Sequence, residues 1–308
     1  MKNVTKTNVL FAATVLVYII LMYSLALIPH DKWSFNMSLV IPEIILLIPA
    51  LVYVIVLRPK TVDGVSMEIV SPLTTILTVI LTFLIMPLVM LINSVSSLFV
   101  ENGVEGTLNS VVNENPLWLN LVVIALLPAV VEEFIFRGLI FNGYKRRNPL
   151  MAIILSALLF GFIHMNINQF TYAFAIGVIF GLMAYATGSL LPSIMSHFII
   201  NGTSVVITHM SADTTKAPVA TEVKLKVADY VAAYTVMAIV AVAGLALAYF
   251  VFKCICNKNR GFENVKRIFM KPHRNQFVEA EGKFFDGYLL LGVGICLLHM
   301  IMYEISSM

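Results

Sequence analysis

The sequence predicts an all-α, polytopic transmembrane bundle of about eight or nine spans. Three observations carry that prediction. Of the 308 residues, 59% are hydrophobic and only 12% charged, whereas a soluble domain carries about 25% charged residues. Apolar runs of roughly 20 residues, the length of helix that crosses a hydrocarbon core about 30 Å thick, recur along the whole chain. Lysine and arginine, finally, collect in alternate connections between those runs, as the positive-inside rule requires of a membrane protein.

Taken in order, the predicted spans are Val9–Ile28, Leu39–Leu57, Leu73–Val100, Leu117–Phe141, Leu150–Met165, Phe170–Ala186, Leu190–Thr208, Tyr230–Phe252 and Gly287–Ile305. The first is too long for the apolar region of a signal peptide and has no convincing small-residue cleavage site, so it reads as a retained span. The sixth and seventh are separated only by Thr187-Gly188-Ser189, which predicts a tight hairpin. Gly177 and Gly181 form a G-x-x-x-G on the sixth span, a pattern for close helix packing.

With these spans, fifteen of the twenty basic residues fall on the N-terminal side of the membrane, four on the other, and Arg137 lies within it. The N-terminus is therefore expected in the cytoplasm, and nine spans put the C-terminus outside. Glu101–Pro116, with three glutamates and no basic residue, reads as an external loop. The linker 253–285 is the most basic stretch. It reads either as a solvated linker or as a segment lying along an anionic leaflet through Phe262, Phe269 and Phe277. Three cysteines do not make a disulfide framework. Membrane lipids are expected partners, nucleic acid is not, and oligomeric state is left open.

The polar residues inside the spans are expensive, roughly 2.5–3.5 kcal/mol for a charge at mid-membrane. The fourth span holds Glu132, Glu133 and Arg137; the fifth ends in Phe160-Gly161-Phe162-Ile163-His164; the seventh contains His197 and Asn201. Glu133 and Arg137 are four apart, acid first, and share one helix face as an ion pair. Glu132 is turned about 100° from Glu133 on a 3.6-residue helix, so Arg137 does not reach it naturally. A carboxyl left alone in apolar surroundings is the usual condition of a general base. His197 and Asn201, also four apart, can aim two N–H donors at one point, as an oxyanion hole requires. His164 is placed to orient Glu132 or to share a water with it. Each histidine alone reads as a packing residue, but six such groups on three neighbouring spans do not.

These residues resemble the three motifs of the CAAX-protease and bacteriocin-processing family, which includes the Ras-converting type of CAAX endopeptidase. E-E-x-x-x-R matches Glu132, Glu133 and Arg137; F-x-x-x-H matches Phe160 and His164; H-x-x-x-N matches His197 and Asn201. The resemblance covers roughly Pro116 to Val206. It implies an intramembrane endopeptidase of glutamate type, without a cofactor, acting on a membrane-associated peptide or protein. Glu132 and His164 would then activate water, His197 and Asn201 stabilise the oxyanion, and Glu133, Arg137 and Phe160 support the site. Eukaryotic members act on prenylated CAAX C-termini, while bacterial members are associated with peptide processing and bacteriocin self-immunity. The chain then divides into N-terminal spans with an external loop (1–115), a catalytic core (116–208) and C-terminal spans with the basic linker (209–308). The simple topology and lack of a targeting signal fit a prokaryotic plasma membrane.

Two rivals stand beside this reading. Two histidines and a glutamate can form a catalytic zinc site, although H-E-x-x-H is absent and Arg137 beside the carboxylates disfavours a dication. A proton-coupled transporter could use the same groups as a relay, although no internal repeat is seen. Of the remaining polar residues, Glu43, between Pro42 and Pro49 near the outer end of the second span, reads as an interfacial carboxyl or a kink partner rather than a catalytic group. His299 and Glu304 read as reaching the outer interface, and Cys254 and Cys256 as free or packed thiols.

Overall fold

The computed structural model describes residues 2–27, 35–57, 66–100, 112, 115–214, 227–270 and 282–307. Among them the secondary structure is helical, without strands. The helices are α1 (Asn3–Ala26), α2 (Phe35–Leu57), α3 (Pro72–Ser96), α4 (Leu117–Lys145), α5 (Pro149–Ile163), α6 (Ile167–Thr187), α7 (Leu191–Thr214), α8 (Val227–Asn259), the short α9 (Phe262–Lys266) and α10 (Gly287–Ser307). Eight of them are long and apolar enough to span a membrane, and α5, at 15 residues, is the short one. The fold is the expected polytopic bundle. Most of the external loop, the stretch 271–281 and eight of the basic residues counted above, including Lys32 and Lys216, lie outside the described residues.

Helix boundaries follow the polar residues near them. α1 starts earlier than its apolar run, because its first polar side chains have partners. Tyr144 Oη donates to Asn8 Oδ1 at 2.5 Å, and Asn8 Nδ2 donates to the Phe284 carbonyl at 3.0 Å. That joins the start of α1, the end of α4 and the entry to α10. α3 opens on a capping Ser71, whose hydroxyl accepts the Thr74 N–H, followed by Pro72 at the first helical position. α6 ends on Gly188 at φ 75°, the left-handed closure that glycine adopts without strain. The turn behind it holds the extended stretch before α3: Ser189 Oγ donates to the Glu68 carbonyl, and Leu190 N–H to the Ser66 carbonyl.

Small residues decide which helices touch. A side chain on Gly161 would meet Phe170, one on Gly177 the Ala157 backbone, and one on Gly181 Ile153. α5 and α6 are therefore an antiparallel pair in close contact, and the G-x-x-x-G is the packing face expected of it. α3 and α8 pair the same way, with Gly244 against the Leu84 carbonyl and hydrogen bonds near both ends. Asn259 Nδ2 donates to Thr74 Oγ1, and Tyr234 Oη to the Ser94 carbonyl. Large apolar side chains such as Phe83, Ile239, Leu247 and Phe250 face outward, which water would penalise and acyl chains do not.

The fourth span departs from the regular helix on which the spacing argument was built. π-helical turns occupy Leu121–Leu126 and Phe134–Phe141. The first runs up to Pro128, which has no N–H to give and crowds the carbonyl four residues back. At the second, Asn142 Nδ2 donates to the carbonyls of Arg137 and Gly138, at 3.1 and 2.8 Å. A side chain thus satisfies backbone acceptors in a place where no water is at hand.

Candidate active site

The second π-turn begins immediately after Glu133, and such turns occur often at functional sites. Arg137 Nη1 donates to Glu133 Oε1 at 2.7 Å, and both side chains are fully buried. The sequence-predicted ion pair is therefore present. The guanidinium has little else polar around it: Nε and Nη2 have no hydrogen-bond partner among the described residues. Aromatic faces cover it instead, with the Phe160 ring centroid 4.4 Å and the Phe180 centroid 5.3 Å from Cζ. Such contacts are strongest where the cation has lost its water. Gly177 provides the room, since a Cβ there would lie 2.9 Å from Nη2.

His197, on α7, lies against both glutamates. Its Nδ1 is 3.2 Å from Glu133 Oε1, and its Nε2 is 3.6 Å from Glu132 Oε2. Glu133, paired with Arg137, can only accept, so the proton on this contact belongs to Nδ1. A neutral ring then has a lone pair at Nε2, and only the imidazolium donates from both nitrogens. His197 is itself held by aromatic rings, with centroids of Phe160 at 5.8 Å and Phe180 at 5.6 Å. Neighbouring Ser196 bonds Thr82 across the α3–α7 contact at 2.7 Å.

His164 caps the C-terminal end of α5, followed by Met165 at φ 52° and by Asn166, whose side chain caps α6. Its Nδ1 is 2.8 Å from the Phe160 carbonyl. A carbonyl only accepts, so Nδ1 carries the proton and Nε2 of the neutral ring is an acceptor. The ring stands edge-on to Phe160 at 5.0 Å. Phe160 is thus shared by Arg137, His164 and His197, which is a physical reason for an aromatic residue four positions before the histidine.

Six of the seven sequence-predicted residues, Glu132, Glu133, Arg137, Phe160, His164 and His197, are joined by these contacts into one cluster. Asn201 sits one turn beyond His197 on α7 at a half-buried position. Among the described residues it makes no hydrogen bond to the others, and no direct contact joins His164 to Glu132.

Glu43 is 8% exposed, on α2, which packs on the part of α4 that carries Glu132. His299 Nδ1 and Glu304 Oε1 are sealed from solvent, and His299 stands edge-on to Tyr23. The cysteines are free, with Cys256 packed against Ala186 and Val265. Spacing also missed Phe180 and Gly177, which line the arginine. The G-x-x-x-G was the available signal for the second.

Residues 114–203 match the family model described as Rce1-like, type II CAAX prenyl endopeptidase Rce1-like. The match spans less than a third of the chain, and it coincides with the three motifs and the helices that carry them. No curated protein and no solved structure matches the chain.

Proposed function

We propose that the segment similar to the Rce1-like CAAX prenyl endopeptidases, residues 114–203, is the core of an intramembrane peptidase of glutamate type. The observation that carries this reading is the cluster inside a membrane bundle in which two carboxylates, a guanidinium and His197 meet, with His164 joined to it through Phe160. Charged groups there are costly, and structure alone does not require them.

The protein's own groups suffice for a hydrolytic cycle. A water between Glu132 and His164 gives its proton to Glu132 while its oxygen attacks the scissile carbonyl carbon. His164, with Nδ1 committed to the Phe160 carbonyl, orients that water through the lone pair on Nε2. Charge developing on the carbonyl oxygen is met by the Asn201 amide and by His197. His197 can donate from Nε2 only as the imidazolium, because Nδ1 already donates to Glu133. The Glu133–Arg137 pair then fixes His197 and sets the sign of its surroundings. When the C–N bond breaks, Glu132 returns its proton to the leaving amine, and the acid and amine products leave with the enzyme restored.

Catalysis without a metal belongs to this proposal. Arg137 is a fixed, buried cation bonded to the carboxylate beside Glu132, and it opposes a dication at the same carboxylates. The expected substrate is a membrane-associated peptide or protein, prenylated at a CAAX-like C-terminus in the reading nearest the family description. The N-terminus is taken as cytoplasmic, from the distribution of lysine and arginine, with residues 116–208 as the catalytic core.

Purified protein in bilayers, presented with prenylated and unprenylated peptides, tests the reading. Wild type is expected to cleave and Glu132→Ala to be inactive at unchanged melting temperature. Full activity after chelation is expected as well. Cleavage by Glu132→Ala at the wild-type rate removes Glu132 from the mechanism, and loss on chelation restored by zinc replaces it with metal chemistry.

A further inference from the structure

α8 is longer than the membrane core requires. Its 33 residues extend about 50 Å, against a hydrocarbon thickness of about 30 Å. Its last residues are level with the end of α6. The Arg260 guanidinium lies over the Tyr185 ring, with Cζ 5.3 Å from the centroid, and Nη2 is 3.0 Å from where a Cβ on Gly188 would stand. This end of α8 is therefore at headgroup depth. The chain turns there: Gly261, at φ 83°, donates its N–H to the Cys256 carbonyl at 2.7 Å, and α9 follows at once.

α9 is docked on the bundle. Val265 is buried against Ala186 and Cys256, and Ile268 packs on the main core. Phe262 stands edge-on to Tyr249 at 5.9 Å, with Lys253 Nζ 5.5 Å from its centroid, and its N–H donates to Asn257 Oδ1 at 3.0 Å. The outward side of this corner is cationic and apolar together. Lys258, Arg260, Lys266 and Arg267 are exposed, and Phe269 and Met270 beside them are 59% and 54% exposed. Residues 253–267 carry five cations and one carboxylate, Glu263. The nearest acid from another element, Glu68, sits in the stretch held by Ser189. None of these groups makes an ion pair among the described residues.

We propose that this corner is a binding surface for anionic phospholipid, with headgroup phosphates on Arg260, Lys266 and Arg267 and with Phe269 and Met270 among the upper acyl carbons. Water alone would penalise the exposed phenylalanine and methionine, and a neutral surface would leave the cations without counter-charge. An anionic leaflet answers both. Of the aromatic residues that pointed to a leaflet in the sequence, Phe269 faces out, Phe262 faces inward, and Phe277 lies outside the described residues. α9 rests on the end of α6, and the turn Arg267–Phe269 packs on α5. Lipid held there braces the helix pair behind the buried cluster, whether or not that cluster is catalytic.

Native mass spectrometry of the full chain in detergent, titrated with phosphatidylglycerol or with phosphatidylcholine of the same acyl chains, tests this without any peptide substrate. Wild type is expected to retain phosphatidylglycerol about tenfold more tightly or better. Lys266→Gln combined with Arg267→Gln is expected to weaken phosphatidylglycerol about 30-fold, since each basic residue at an anionic surface is worth about fivefold, and to leave phosphatidylcholine unchanged. The charge-matched pair Lys2→Gln and Lys6→Gln, at the start of α1, is expected to bind phosphatidylglycerol as wild type does. Equal retention of the two lipids by wild type overturns the proposal even if a variant fails to fold. Wild-type affinity for phosphatidylglycerol in the α9 pair overturns it as well. So does an equal loss in the α1 pair, which would make the effect one of net charge alone.

Discussion

The four helices α4–α7 and the flanking helices around them are made of nearly the same apolar residues, yet they spend them differently. Half of the most apolar stretch of α4 is buried within the protein, and 44% of those of α6 and α7. The corresponding share is 17% for α8 and 22% for α3 and α10. The core helices face one another and enclose charge, while the flanking helices face outward with side chains such as Val240, Phe250 and Leu298. Hydrophobic content alone does not separate the two. What separates them is small residues that permit close approach and polar groups that reward it.

That contrast can be broken at the core with a large effect. Glu132→Ala is expected to lower kcat by about 10²–10⁴-fold, the usual worth of a positioned acid–base group, with the melting curve in detergent unchanged. Next comes the ion pair. Arg137→Met strands the fully buried Glu133 without its cation, and removal of one partner of a buried pair costs about 3–5 kcal/mol. Denaturant titration should read that loss as destabilisation, not as a selective kinetic defect.

Smaller changes sharpen the comparison. Asn201→Ala is expected to lower kcat by about 10²–10³-fold with little change in stability, as loss of one oxyanion donor does. Gly177→Ala forces a methyl toward Arg137 Nη2 and the Ala157 backbone, an overpacking expected to cost about 1–3 kcal/mol by the same denaturant titration. At the far end, Val240→Ala on the outward face of α8 should stay within about 0.5 kcal/mol of wild type. A large loss there would mean that α8 has a protein partner on that face.

Much of this was legible in the sequence. Every predicted span corresponds to a helix, because apolar runs of membrane length have few alternatives. The Glu133–Arg137 pair followed from spacing, and the Thr187-Gly188-Ser189 hairpin from its glycine. What stayed hidden is rotational. A helix that is apolar on every side has no polar face to show which way it points. The burial of Glu43 was therefore not legible in the sequence, and it comes with the packing of α2 on α4. The π-turns were invisible for a related reason: they change which residues share a face without changing composition. The hydrogen bond that fixes the His164 tautomer uses a backbone carbonyl, and no side-chain motif encodes that.

The aromatic and glycine seat of Arg137 also bears on how the chain is made. The guanidinium lies on α4, but Phe160 comes from α5, and Gly177 and Phe180 from α6, all of which the ribosome delivers later. Until those helices follow, the guanidinium has its i,i+4 pair with Glu133 but not its aromatic and glycine seat. Its residence in the bilayer is provisional until α5 and α6 arrive and close over the charge. A nascent chain released before residue 180 would hold its fourth span poorly, so assembly of this site and completion of membrane insertion are one event.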